Sequence, residues 1–218
     1  MRTSFTKGVP VKVLYYDEAA LATQLSQLSR DLRPVFALLC SRRIMSKCDI
    51  WYGTGESNRA TRLSELVGEF ERALPERRMS QALASEMLNG CVSLLPDSED
   101  DTESFRDYCE EDAVAALAYA IRSWIEDSSQ EAAYAGRRAY EAADRRVLQT
   151  MPGSTIDPST ERVILAHPFV QSELASQAKD LAALAALSRA PDAVTQAARL
   201  LVEAQSAEGP RDADGASE

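Results

Sequence analysis

The chain has 218 residues, 45% hydrophobic and 27% charged, which suits one sizeable globular domain and excludes a fibre or a wholly disordered chain. Its net charge of −10 argues against a nucleic-acid surface, because affinity for phosphate backbones comes from surplus Lys and Arg, and anionic membranes are disfavoured for the same reason. Of 34 alanines, 22 fall between residues 101 and 200; alanine is the best helix former and is depleted from strands, so the second half reads as helix.

In chain order, Val11 to Tyr16 is rich in β-branched and aromatic residues but has no partner strand, and reads as a packed, extended arm. From Glu18 the pattern turns helical, with Leu21, Leu25 and Leu28 on one stripe. A second helix carries Leu32, Val35, Phe36 and Leu39, with Pro34 in its first turn, and is expected to end near Ser46 before an aromatic and glycine-rich loop, WYGTGESN. Leu63, Leu66, Val67, Phe70, Ala73 and Leu74 mark one buried face of a third helix that Pro75 stops. Residues 78–95 form a fourth, ended by Pro96.

Val114, Leu117, Ala118, Ile121, Trp124 and Ile125 repeat the template of the third helix and predict the central, most buried element. Residues 129–148 then present Ala132, Gly136, Ala139, Ala143 and Val147, a stripe of small side chains that lets two helices approach closely. Residues 159–166 and 169–188 read as a short and a long helix broken at Pro168, and Pro191 opens a last one. The expected fold is thus all-α, a bundle of about seven to eight helices with short loops. Its organisation is an arm at 1–17, one helical domain at 18–204 and a disordered tail at 205–218.

Catalytic constellations are scarce. The single histidine, His167, precedes a proline at a helix junction and reads as a cap; it excludes any multi-histidine metal site. There is no GxxxxGK[ST] or GxGxxG loop, and Gly53-Thr54-Gly55 reads as a plain connection ahead of an anion cradle. Cys40, Cys48, Cys91 and Cys109 show no CxxC spacing, lie in or beside apolar runs and read as buried reduced thiols. No catalytic residue, metal site or cofactor is assigned. With no signal-type segment and no spanning apolar run, the expected location is the cytoplasm.

The most distinctive feature is DSEDDTESFRDYCEED, residues 97–112, with nine acids against Arg106 and net −8. It lacks the spacing of a calcium loop. Two readings compete: a solvated loop whose last acids favour a helix N-terminus through its dipole, and a docking face for a basic protein partner formed by Asp100, Asp101, Glu103, Asp107, Glu110 and Glu111. A third candidate is a pocket near the aromatic loop, lined by Cys40, Arg42, Arg43, Trp51 and Tyr52.

VFALLCSRR (Val35 to Arg43) before an aromatic loop, FERALP (Phe70 to Pro75) and EEDAVAALAYAI (Glu110 to Ile121) together resemble the YjaG-like family of bacterial proteins, domain of unknown function 416. The likeness covers about residues 21–150 and rests on helix-packing positions. It implies an all-α bundle of bacterial cytosolic type and no catalytic residues to carry over. The expected function is that of a non-catalytic protein-binding module using its acidic face, of which an immunity-type inhibitor of a basic toxin is one form. The alternative is a small-molecule or enzymatic bundle with its pocket at 51–55.

Overall fold

The computed structural model describes residues 13–53, 58–76, 78–95, 104–151, 157–190 and 192–207, the last seven as backbone only. Among them are nine helices and no strand: α1 (Glu18–Ser26), α2 (Leu32–Tyr52), α3 (Asn58–Ala73), α4 (Gln81–Val92), α5 (Phe105–Glu126), α6 (Ser129–Gln149), α7 (Pro158–Ala166), α8 (Pro168–Leu187) and α9 (Ala193–Ala207). The all-α expectation holds, with one helix more than the upper estimate.

Local chemistry sets most of the boundaries. Asp17, Ser80, Ser128 and Asp157 each accept a backbone N–H in the first turn of α1, α4, α6 and α7, satisfying donors that a helix start leaves free. Pro158 and Pro168 occupy the first position of α7 and α8, where a missing N–H costs nothing. His167 Nδ1 accepts from Phe169 N at 3.2 Å, so the lone histidine is the α8 cap its position suggested. Asp127, at the left-handed φ of 53°, ends α5; Arg33 Nη1 donates to its carboxylate at 2.8 Å and to its carbonyl at 2.9 Å.

Two expected boundaries move by more than a turn, and α4 is three residues shorter at each end. α2 runs on through Trp51 and Tyr52 to Gly53, whose φ of 82° breaks the helix. α5 starts about two turns earlier than its apolar stripe suggested, because Ser104 and Asp107 form a reciprocal capping box: Asp107 Oδ2 accepts from Ser104 N at 2.8 Å and Ser104 Oγ from Asp107 N at 3.3 Å. Half of the acidic run is therefore helical.

Helices α2 and α5 are the central pair, packed on each other and both on α6. Phe36, Leu38, Ile44, Leu66, Phe70, Leu117 and Ile121 are fully buried in the main core, while Trp124 is only half-buried at its edge. Gly136 of α6 explains the small-residue stripe. A Cβ there would lie 2.8 Å from Leu21 of α1, and the Gly136 carbonyl accepts from Gln177 Nε2 of α8 at 2.9 Å. The arm, described from Val13, is held by Gln171, which accepts from Leu14 N at 2.8 Å and donates to Leu14 O at 3.0 Å.

The reading of four reduced thiols needs correction. Cys40 and Cys91 are buried thiols, which burial pushes up to about 12, far from nucleophilic use. Cys48 and Cys109 are also buried but form a disulfide between α2 and α5. Nothing in their sequence neighbourhoods signals this, because the central helix pair alone brings them together.

Candidate functional site

Of the proposed acidic face, Asp100, Asp101 and Glu103 lie outside the described residues. The remaining acids are engaged by a helix cap and by the protein's own arginines, and Glu110 is buried. Asp107 closes the α5 capping box, whose Ser104 hydroxyl holds its carboxyl below the usual range, and sits 3.9 Å from Arg59. Glu110 is only 3% exposed and accepts from Arg106 Nε at 2.8 Å; Arg106 also reaches Asp49 at 3.2 Å and the Gly53 carbonyl. Glu111 is half-buried, 3.8 Å from Arg59. Asp112 is buried against Arg145 at 2.5 Å and Arg138 at 3.6 Å; burial raises its pKa in spite of them.

Of the residues proposed for a pocket, Cys40 touches Arg43 and Trp51 meets Tyr52 edge to face, while Arg42 serves a different helix from Arg43. Adjacent positions on a helix point about 100° apart, and Arg42 and Arg43 serve different neighbours. Arg42 makes a bidentate pair with Glu71 of α3, whereas Arg43 turns to α8, where it meets Glu173 at 3.0 Å and Asp180, and also donates to the sulfur of Cys40 on its own helix at 3.3 Å. Lys47 closes on the same Glu173. Glu173 is fully buried; burial opposes its ionisation, but Arg43 and Lys47 outweigh it and hold the carboxyl at about 2. Trp51 packs on Phe169 at 5.7 Å between ring centres, and Tyr52 Oη donates to Gln149 Oε1 at 2.7 Å. These are ties between helices, and none of the four residues lines the cavities described next.

The largest cavity described is a groove of about 530 Å³ running along α5 between α4 and α6. Ala115 and Ala118 leave its floor low; Leu88, Val92, Leu95, Tyr108 and Tyr119 give its apolar walls. Val92 is 58% exposed and Tyr108 and Leu95 are each 39% exposed, so apolar side chains stand in water along its lip. Lining positions on α5 run from Tyr108 to Glu126, which at 1.5 Å per residue makes the groove about 27 Å long. Arg145 lies over the Tyr108 ring at 5.6 Å and joins Arg122 and Arg138 on the far side. All three bases already have carboxylates: Arg122 has Glu126 and Glu131, and Arg138 and Arg145 share Asp112. Sequence reasoning missed this surface because it started the helix near Val114. Read from Phe105, the positions 108, 115 and 119 form a second apolar stripe beside the buried one.

Among the described residues no group of three or more His, Cys, Asp or Glu side chains is placed to hold a metal ion, and no helix is long and apolar enough to cross a membrane. The groove offers shape and apolar area rather than a nucleophile with its base.

No family model and no curated protein matches the chain. Among solved structures, the crystal structure of a DUF416 family protein from Shewanella baltica matches with a TM-score of 0.67 at 14% identity, covering 84% of this chain and 93% of that one. Likeness at that identity is a likeness of fold, with no activity attached to it. The chain therefore has the fold of a DUF416 family protein, the architecture that its packing motifs resemble.

Proposed function

We propose that the chain is a non-catalytic protein-binding module that receives a basic amphipathic helix of its partner in the α4–α5–α6 groove. The observation that carries the reading is the groove's form: about 27 Å long by the helix rise, shallow, floored by alanines and lipped by exposed Val92, Leu95 and Tyr108. A long apolar trough is the footprint of a helix that lays one face down, with anchors at i, i+3, i+4 and i+7, whereas a small ligand is held in a closed concavity. Charge selects the sign of the partner. The lining arginines are neutralised by their own carboxylates, while residues 97–103, which join the lip at Leu95 to the start of α5, add five acids and no base. Such surplus charge speeds encounter with a basic partner and selects it. An immunity-type inhibitor of a basic toxin is the special case in which that helix belongs to the toxin.

An 18-residue helical peptide with leucines on one face and lysines on the flanks tests this by fluorescence anisotropy. Ala118→Trp, which fills the floor, is expected to weaken binding at least about tenfold, the loss expected when a buried anchor is excluded, with an unchanged circular dichroism spectrum. Replacing Asp100, Asp101 and Glu103 by amides is expected to slow association about tenfold at low salt and flatten its salt dependence. Equal affinity for wild type and Ala118→Trp would remove the groove from the function.

A further inference from the structure

We infer that a second cavity, lined by the arm, α6 and α7 and separate from the groove, binds an alkylammonium ion. It measures about 400 Å³ and is walled by Tyr15, Tyr16 and Tyr140 together with Ile164 and Leu165, and its charged groups are Asp144 and Glu161. Among the described residues no basic side chain lines it.

Each wall is fixed by the local fold. Tyr140 and Asp144 are one turn apart on α6, and Glu161, Ile164 and Leu165 share a face of α7. Tyr16 stacks on Tyr140, with ring centres 4.9 Å apart and planes 12° from parallel, and its hydroxyl donates to the Ala133 carbonyl at 3.2 Å. The hydrogen bonds between Leu14 and Gln171 hold the arm in place. The aromatic wall is thus organised before any ligand arrives.

The charges are the unusual part. Among the described residues neither the Asp144 nor the Glu161 carboxylate has a hydrogen-bond or ion-pair partner. The nearest base in sequence, Arg145, is turned to Asp112 at 2.5 Å on the α5 side. Glu141, one turn before Arg145, is occupied by Arg137 at 2.7 Å and Arg138 at 3.5 Å. Most other half-buried carboxylates here, Glu69 excepted, are matched by arginines, so half-buried Asp144, unmatched beside tyrosine faces, stands out, and the exposed Glu161 adds a second negative charge to the lining. Burial and neighbouring Glu141 both disfavour the ionised form of Asp144, a disadvantage that a bound cation would relieve. An ammonium group gains from both features, the carboxylates and the electron-rich ring faces, and its alkyl chain suits the wall at Ile164 and Leu165. A bare metal ion would make no use of the rings, and an anion would be repelled.

The ammonium is that of a free amine or of one of the chain's own lysines, Lys7 or Lys12, which precede the described part of the arm; the free amine is our assignment, and the experiment separates the two. Calorimetric titration of the full chain with n-pentylammonium chloride at low ionic strength is expected to show one site, with 1-pentanol giving no heat above dilution. Asp144→Asn, nearly isosteric, is expected to weaken that site about tenfold or more, as loss of a partly buried ion pair would, and Glu161→Gln to weaken it less. Binding seen only after Lys7→Gln and Lys12→Gln would support the cavity as an ammonium site while overturning the free amine as its occupant. Binding unchanged by Asp144→Asn, or absent from wild type and lysine variant alike, would overturn the proposal.

Discussion

Glu173 shows what a single residue does in this fold. It is fully buried between Arg43 and Lys47 and accepts from Gln177 at 3.1 Å as well, so the α2–α8 contact is built on charge inside a core. Removing one partner of such a group leaves the others buried and uncompensated, which costs about 3–5 kcal/mol. Glu173→Gln is therefore expected to lower stability at pH 7 by about that amount, measured by urea unfolding. The pH dependence has a definite sign. The folded pKa, about 2, lies below the ordinary 4.5, so the unfolded chain takes up the proton first as pH falls. The stabilisation is present above the ordinary Glu range and is lost as pH drops from about 5 toward 2. Urea midpoints of the variant are expected to fall less steeply than those of wild type across that window. A variant with wild-type midpoints at pH 7 and pH 3 would show that the network contributes nothing.

At the scale of elements, α1, α3 and α6 were legible because each buries one stripe that repeats at helical spacing, as Leu63, Leu66, Val67 and Phe70 do. The ends of α2 and α5 were not. Apolar periodicity marks the face a helix buries, not where it stops, and the Ser104–Asp107 capping box was hidden in a run whose charge drew attention first. The groove was lost with that boundary, since it needs Tyr108 on the same helix as Tyr119. The Cys48–Cys109 bond was illegible for another reason: the cysteines are 61 residues apart and meet only through packing of α2 on α5. That bond closes a long loop, and in the chain-entropy account it contributes about 2–4 kcal/mol. Thiol labelling in denaturant without reductant is expected to find two reactive cysteines and, after reduction, four. Reduction, or the pair Cys48→Ser and Cys109→Ser, is expected to lower the urea midpoint correspondingly. Four thiols before reduction would disprove the bond.

At the scale of the whole molecule, charge is distributed unevenly between inside and outside. The net charge is −10 and residues 97–112 supply −8 of it, yet Asp107, Glu110, Glu111 and Asp112 each stand within 4 Å of an arginine. The sequence displayed the run's charge but not this division, because an arginine's partner is set by helix packing: Arg59 comes from α3 and Arg145 from α6. The surplus then rests on Asp97, Glu99, Asp100, Asp101 and Glu103. Mutual repulsion among like charges opposes compaction, and it is screened over roughly 10 Å at 0.1 M salt. Exchanging these five for their amides is expected to raise the melting temperature at low ionic strength by about 2–4 °C, the shift that roughly 1 kcal/mol produces in a chain of this size. That gain is expected to shrink as sodium chloride is added. Comparing variant with wild type at each salt level isolates the repulsion, because the ion pairs shared by both proteins cancel from the difference. A gain that did not change with salt would trace to something other than charge, and a loss of melting temperature would mean that the segment stabilises the fold. Under the proposed function, the same five substitutions make the protein more stable and slower to meet a basic helix, so folding and binding move in opposite directions.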